Sequence, residues 1–226
     1  MSESSDYYAL MDYRRRVADL YAWLRRSELG PEERLLEFRR RRDSLFASHP
    51  QSALSPEQKI RFTQLDYYPY NPDLRFTLEV DTEVDPEVWE VQLEDEGLTR
   101  MQRSGKVHFE VQGRPVSLTL FWILGYGGGI FLPFRDETNK TDTYGGSRYL
   151  LDTIKSADLG REGDRLVIDF NYAYNPSCAY NPQYQCPLAP QENWLPVPIR
   201  AGERDFKGEE DQAATAHLRQ GPLLDC

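Results

Sequence analysis

Residues 105–134 read GKVHFEVQGRPVSLTLFWILGYGGGIFLPF, and the fold prediction starts from this stretch. Val107, Phe109 and Val111 alternate with polar residues. This period of two is typical of a β-strand that buries one face. Gly113 follows as a turn residue between this run and the next. The stretch therefore predicts short strands joined by tight turns.

The same kind of pattern continues on both sides of this stretch. Residues 117–124 are largely apolar on both faces, as in a central strand, and three glycines then separate them from residues 130–134. Alternating apolar residues mark three further segments, at 76–80, 89–93 and 166–170. Short strands without β-α alternation predict an α+β, mainly β fold, in which an antiparallel β-sandwich or partly open barrel follows N-terminal helices.

The first third of the chain has helical spacing instead. Apolar residues recur at steps of three and four from Leu10 to Leu24. Pro31 and Pro56 stand where proline opens a helix. The expected organisation has three parts, namely a helical segment 1–65, a β domain 66–203 with the candidate site, and a polar tail 204–226.

The composition limits the classes of function. At 226 residues, the chain suits one domain with an appendage or two small ones. No run approaches the roughly 20 apolar residues of a membrane helix, and residues 1–6 lack the features of a signal peptide. We therefore expect a cytoplasmic protein with no membrane partner. The net charge of −10 argues against nucleic acid as a partner.

Charge is unevenly distributed along this acidic chain. Residues 1–65 contain twelve basic and ten acidic residues, whereas residues 66–226 contain fifteen and twenty-seven. Residues 39–42 are four consecutive arginines flanked by Glu37 and Asp43. On a helix, such a cluster is typical of a solvated face, and an anionic partner is the less favoured alternative. The N-terminal helices are also a candidate surface for homo-oligomer formation.

Residues that could support chemistry are concentrated between positions 131 and 203. Strand alternation places Asp169 and Asn171 opposite an apolar face. Arg148 could pair with Asp169 or Asp136, or hold an anionic ligand through two hydrogen bonds. An internal salt bridge that pins two loops to the sheet is the structural alternative. The candidate ligand-binding residues are Asp136, Tyr144, Arg148, Asp169, Asn171, Tyr174, Asn175 and Asn193.

Cys178 and Cys186 lie in a proline-rich loop, and four interpretations of them stay open. They could be a buried thiol pair, or a disulfide, which a reducing cytosol disfavours. Metal binding is less favoured because zinc-binding cysteines usually stand closer together and the chain has only three histidines. A catalytic thiol needs a neighbouring base that the sequence does not display.

Acidic residues between positions 136 and 142 raise the question of a metal site. Asp136, Glu137, Asn139 and Asp142 could offer oxygen ligands to Ca²⁺ or Mg²⁺. Their spacing does not match an EF-hand, and the same residue types are common in turns. We therefore predict a turn there, and neither a metal nor a cofactor for the protein.

A composite signature runs through the candidate site. Its motifs are YGGSRY at 144–149, DFN at 169–171, AYNP at 173–176, CAY at 178–180 and CP at 186–187. This signature resembles a prokaryotic family catalogued as domain of unknown function 1684. The likeness extends to HPQS at 49–52 and FTQLDYYP at 62–69. Ser147 stands where the family's pattern has glycine, and the resemblance implies no established activity.

Three functions are compatible with these residues. The favoured one is an uncharacterised β domain that binds a small molecule, with an anion as one candidate ligand. The second is an enzyme in which Asp169 or Asp136 is a general base and Arg148 stabilises a developing negative charge. The third is a non-catalytic interaction module whose polar residues lock the fold. An open cavity beside Arg148 and Asp169 would favour binding, whereas a packed interior there would count against it.

Overall fold

The computed structural model describes residues 3–93 and 97–206, with the side chains of residues 6–92 and 97–206. Within these ranges the helices are α1 (Glu3–Arg26), α2 (Pro31–Ser48) and α3 (Pro56–Arg61). The strands are β1 (Arg75–Leu78), β2 (Val88–Leu93), β3 (Gly97–Val111), β4 (Arg114–Ile123), β5 (Gly129–Phe134), β6 (Arg148–Asp152), β7 (Arg161–Glu162) and β8 (Arg165–Asp169).

The strands form two antiparallel sheets. One has five strands in the order β2-β3-β4-β5-β6, and the other has three in the order β1-β8-β7. Side chains from both sheets enter one core, which includes Leu118 and Leu132 from the larger sheet and Ile168 from the smaller. The α+β prediction, with antiparallel sheets after N-terminal helices, is confirmed, and helix and strand are present in about equal amounts.

Strand β3 is longer than the alternation at 107–111 indicates, because a bulge lets it continue. The register with β4 shifts between Arg103 and Gly105. A Cβ atom at Gly105 would lie 2.5 Å from Val80 Cγ1 and 3.1 Å from the Asp81 carbonyl oxygen. A side chain at position 105 would therefore push the segment before β2 away from the sheet.

Helices α1 and α2 form a hairpin that packs on the rest of the same chain. Leu35 and Phe38 of α2 share a buried cluster with Leu24 of α1 and with Tyr172. The rings of Phe38 and Tyr172 meet edge to face at 5.1 Å. Hydrophobic contact therefore holds the hairpin against the segment that follows β8. Among the described residues, no helix has the length and apolar character needed to cross a bilayer.

The last described segment, residues 193–206, runs back along the β body, and we call it the returning segment. The backbone N–H of Glu203 donates to the Ala173 carbonyl at 2.9 Å. The N–H of Arg204 donates to the Asp66 carbonyl at 2.8 Å. Residues 204–206 are thus attached to the body, and the other residues of the predicted tail, 207–226, lie outside the described part of the chain.

Candidate functional site

Arg148 opens strand β6 and is completely buried. Its guanidinium donates to Asp136 Oδ2 at 2.7 Å. It also donates to three backbone carbonyls of the returning segment, those of Ile199 (2.9 Å), Ala201 (2.6 Å) and Glu203 (3.2 Å). Arg148 therefore pairs with one of its two predicted partners and ties residues 199–203 to the larger sheet.

The second oxygen of Asp136 is occupied as well. Asp136 Oδ1 accepts from the Thr138 backbone N–H (2.8 Å), the Thr138 hydroxyl (2.6 Å) and the Ile199 N–H (3.1 Å). The side chains of Asp136 and Arg148 are both fully excluded from solvent. Neither carboxylate oxygen is open to a ligand, and the contacts are those of the internal salt bridge considered as the structural alternative.

Asn193 completes the pairing of β4 with β5. The ladder between these strands runs from Ile123–Gly129 to Phe121–Phe131, and the same register two residues further on would place Thr119 opposite Pro133. Proline has no N–H to donate to the Thr119 carbonyl. The Asn193 amide supplies that donor, bonding the carbonyls of Thr119 (2.9 Å) and Pro133 (2.8 Å), while its oxygen accepts from the Thr119 N–H (2.8 Å).

Replacing Asn193 with leucine should destabilise the protein by about 3 kcal/mol or more, because three buried backbone groups lose their partner at about 1–3 kcal/mol each. Urea denaturation followed by circular dichroism would measure the loss. Gln191→Leu is the matched control, since Gln191 is an exposed residue of the same turn. Equal unfolding midpoints for the two variants would contradict the bridging role.

Asp169 and Asn171 lie together, at the end of β8 and in the 3₁₀ turn Phe170–Tyr172. Asp169 Oδ1 accepts from the backbone and side-chain N–H groups of Asn171, both at 2.9 Å. The Asn171 side chain in turn bonds the N–H and the carbonyl of Asn71, both at 2.8 Å. Burial raises the pKa of Asp169 against the lowering effect of these hydrogen bonds. Its nearest cation is Arg75, at 3.9 Å, rather than Arg148.

A second buried ion pair joins α2 to the returning segment. Arg42 lies 2.8 Å from Glu203 Oε2 and donates to the hydroxyls of Tyr67 (2.9 Å) and Tyr180 (3.1 Å). The Tyr180 hydroxyl donates to Glu203 Oε1, and the Asn175 N–H donates to Oε2 at 3.2 Å. Burial raises the pKa of Glu203, and the charge of Arg42 opposes that shift. We call these residues the Arg42–Glu203 network.

The prediction that the four arginines form a solvated face is wrong for Arg42, and Arg39 is half-buried. Arg40 and Arg41 do lie outward, and both bind Glu37 at 2.7 Å. Arg42 follows Phe38 by four residues, so it lies on the buried face of α2. Its stem contributes apolar surface and its charge is paired inside the protein, which a count of charges along the sequence does not reveal.

The tyrosines and thiols of the signature form a separate group. The rings of Tyr149 and Tyr174 meet edge to face at 5.8 Å. The Tyr144 hydroxyl donates to Cys178 Sγ at 3.6 Å. Cys178 and Cys186 are both half-buried thiols. The predicted site residues therefore separate into several local hydrogen-bonding networks.

A further cluster was not predicted from the sequence. It consists of Arg34 and Arg39 on α2, with Tyr67 and Tyr172 facing them, and we call it the Arg39 cluster. Four donor groups in it are buried without a partner among the described residues, namely Arg34 Nε, Arg39 Nε, Arg39 Nη2 and the Tyr172 hydroxyl. The Arg39 guanidinium lies over the Tyr67 ring at 4.4 Å. Such a concentration of unpaired donors is unusual in a folded interior.

The electrostatics of the Arg39 cluster reflect this shortage of acceptors. Burial lowers the pKa of Arg39. Burial, and then the charge of Asp169, raise the pKa of Tyr172 to about 12. The charge of Arg34 opposes this rise in the pKa of Tyr172, although Arg34 Nε and the Tyr172 hydroxyl have no hydrogen-bond partner among the described residues. Neither Arg34 nor Arg39 forms an ion pair with a carboxylate of residues 6–92 or 97–206.

The sequence contains only a weak indication of the Arg39 cluster. Arg34 and Arg39 flank the apolar stripe of α2 that contains Leu35 and Phe38. Helical spacing can place them beside the buried face, but it does not say what that face meets.

Over the part of the chain that the structure describes, no group of three or more histidine, cysteine or acidic side chains is arranged to hold a metal ion.

Comparisons with known proteins identify a family. The family model described as "Protein of unknown function (DUF1684)" matches residues 60–204. Among solved structures, the chain is similar to an uncharacterised protein from Haloarcula marismortui, determined by solution NMR, with 32% identity and a TM-score of 0.55. That match covers 76% of this chain and 93% of the other. No curated protein matches the chain. The chain belongs to the family of proteins of unknown function DUF1684, as its signature predicted.

Proposed function

We propose that this protein binds a small anionic molecule at the Arg39 cluster, between α2 and the 3₁₀ turn that follows β8. The observation that supports this proposal is the set of unpaired donors on Arg34, Arg39 and Tyr172. A carboxylate or phosphate group offers several acceptor oxygens at once, and guanidinium donors match its geometry.

The energetics favour an external acceptor. A buried donor without a partner costs about 1–3 kcal/mol, and more when the group is charged. Stacking over Tyr67 compensates Arg39 in part, since a cation–π contact contributes about 0.5–1 kcal/mol at partly exposed sites. An anion that accepted from Arg39 and Tyr172 would supply the missing hydrogen bonds. Both arginines are half-buried residues, whereas their unpaired donor atoms are themselves enclosed.

This proposal moves the binding site away from Arg148. The acceptors of Arg148 all belong to the chain itself, and Asp136 has no oxygen left for a ligand. Asp169 keeps a place at the edge of the proposed site, since its charge acts on Tyr172 and is offset by those of Arg75 and Arg34. The apolar and aromatic surroundings of Tyr172 fit the usual character of small-molecule sites.

A catalytic role is the alternative that one observation favours. Asp169 has a raised pKa, which is a property of general acids, and it lies beside the Arg39 cluster. Two hydrogen bonds from Asn171 occupy its Oδ1, which leaves Oδ2 as the atom that would exchange a proton. Unchanged turnover in an Asp169→Asn protein would exclude this assignment, whereas the binding proposal requires no turnover.

Binding can be tested with inorganic phosphate and acetate as probes, by the shift they cause in the thermal midpoint relative to sodium chloride at equal ionic strength. We expect the shift in the wild-type protein to be lost in Arg39→Met, which keeps the aliphatic stem. The loss of a charge-assisted hydrogen bond corresponds to about tenfold or more in affinity. Tyr172→Phe should weaken binding by a smaller factor, because it removes one neutral donor.

Arg40→Met is the matched control. It removes the same charge from the neighbouring position of α2, where the side chain is exposed and paired with Glu37. We expect Arg40→Met to retain the shift. Without added anion, Arg39→Met should change stability by less than about 1 kcal/mol, because it also removes a poorly hydrogen-bonded buried charge. Equal anion-induced shifts in the two variants would contradict the proposed site.

A further inference from the structure

The loop that joins Cys178 to Cys186 is fixed at several points. The Tyr180 carbonyl accepts from Gln58 Nε2 at 2.8 Å, and the Tyr180 hydroxyl is held in the Arg42–Glu203 network. At the other end, the Pro187 carbonyl accepts from the Tyr149 hydroxyl at 2.6 Å. These anchors belong to α3, the returning segment and β6. The two cysteines are therefore positioned by the tertiary structure and not by the loop alone.

The anchors bring the two thiols into hydrogen-bonding contact. This bond to Cys186, followed by burial, raises the pKa of Cys178. Cys178 also accepts from the Tyr144 hydroxyl at 3.6 Å. Both residues are half-buried, so a small reagent can reach them from solvent.

We propose that Cys178 and Cys186 are a reversible dithiol–disulfide pair that forms its bond in the folded protein. A metal site is a weaker interpretation of the same contact, since the described residues offer the thiols no third ligand of the histidine, cysteine or acidic kind. This inference uses a part of the molecule separate from the Arg39 cluster and does not depend on the proposed function.

The oxidant is a low-molecular-weight disulfide, RSSR. One thiol of the pair loses its proton and attacks one sulfur, the S–S bond of RSSR breaks, and one RS⁻ leaves as a mixed disulfide forms. The other thiol then loses its proton and attacks the protein sulfur of the mixed disulfide, which expels the second RS⁻. Overall, two protein thiols and RSSR give one protein disulfide and two RSH. The two electrons pass from the thiols to RSSR, and a reducing thiol pool reverses the reaction.

The test uses the full chain with Cys226→Ser, so that only the proposed pair can react. Folded protein is equilibrated with glutathione buffers of increasing oxidised fraction, quenched in acid, alkylated with iodoacetamide and weighed by mass spectrometry. We expect both thiols to disappear together, with the loss of two hydrogens, and to return in reducing buffer. Because the fold holds the thiols together, the equilibrium constant should exceed that of the urea-unfolded chain by at least about tenfold.

Single variants in this background test whether each thiol resolves the mixed disulfide on the other. Cys178→Ser and Cys186→Ser should each accumulate a glutathione adduct on the remaining cysteine, because neither variant can close the internal disulfide. Cys178→Ala and Cys186→Ala serve as second variants if a serine variant does not fold. Full alkylation after the most oxidising buffer, or glutathione adducts and dimers in place of the internal bond, would overturn the proposal. An equilibrium constant equal to that of the unfolded chain would also overturn it.

Discussion

Replacing Arg148 with methionine should destabilise the fold by about 3–5 kcal/mol, because the Asp136 carboxylate would remain buried without its cation. Three carbonyls of the returning segment would lose their donor as well. Since small domains are stable by only about 5–15 kcal/mol, the variant should be close to its unfolding limit. Urea denaturation at neutral pH, followed by tryptophan fluorescence and circular dichroism, would measure the loss.

Two further variants make this result interpretable. Arg100→Met removes the same side chain from an exposed pair with Glu90, with an expected cost of at most about 1 kcal/mol. Asp136→Asn combined with Arg148→Met removes both charges, so it should cost less than the sum of the two single changes. A wild-type urea midpoint for Arg148→Met would show that the buried pair contributes nothing to the fold. If Arg148→Met does not fold at all, recovery in the double variant remains the decisive measurement.

Replacing Glu203 with glutamine should have the second largest effect, about 3 kcal/mol or more, because it leaves Arg42 charged and without a counterion in the interior. The loss should be visible in α2, which Arg42 connects to the returning segment. Amide hydrogen exchange is expected to accelerate in residues 31–48 more than in the five-stranded sheet. Such a local effect would show that the ion pair attaches the hairpin to the β body.

A double-mutant cycle with Arg42→Met separates the pair from its surroundings. The two residues are in contact, so their single costs should not add, and the double variant should recover part of the stability. Glu37→Gln is a suitable control on the same helix, because that carboxylate pairs with Arg40 and Arg41 on the outer face. Equal exchange rates in Glu203→Gln and Glu37→Gln would contradict the role of the network.

The two ion pairs join α2 and β6 to the same part of the returning segment, residues 199–203. Arg148 donates to the backbone of this segment, whereas Arg42 binds the side chain of Glu203. Many residues of the polar signature therefore make contacts that hold the returning segment in place. These contacts also surround Asp136 and Arg148 with groups of the chain itself.

The exposed end of α1 leaves the prediction of self-association open. Tyr7 and Tyr8 are each 71% exposed and Met11 is 49% exposed. The remainder of the hairpin contacts the body of its own chain through Phe38 and Tyr172. Association through the helices would therefore involve the first turns of α1, and a homo-oligomer stays a prediction.

The sequence by itself determined the family, the element types and most of their positions. Alternation at 107–111 and the glycines that follow depend on local geometry, since a strand exposes alternate residues to opposite faces whatever it later pairs with. The proline starts of α2 and α3 are equally local. The same is true of the turn formed by Asp136, Thr138 and Asn139, whose side chains bond backbone groups two or three positions away.

The tertiary structure alone decided which polar residues meet. Arg42 and Glu203 are joined across most of the chain, and Asn193 supplies a donor that Pro133 lacks. Helix and strand periods state which face a side chain occupies, but they contain no information about the element opposite that face. The sequence therefore does not show that Arg42 is buried with a carboxylate partner, or that Arg39 is buried without one. Both environments arise from the packing of α2 against residues 67 and 172.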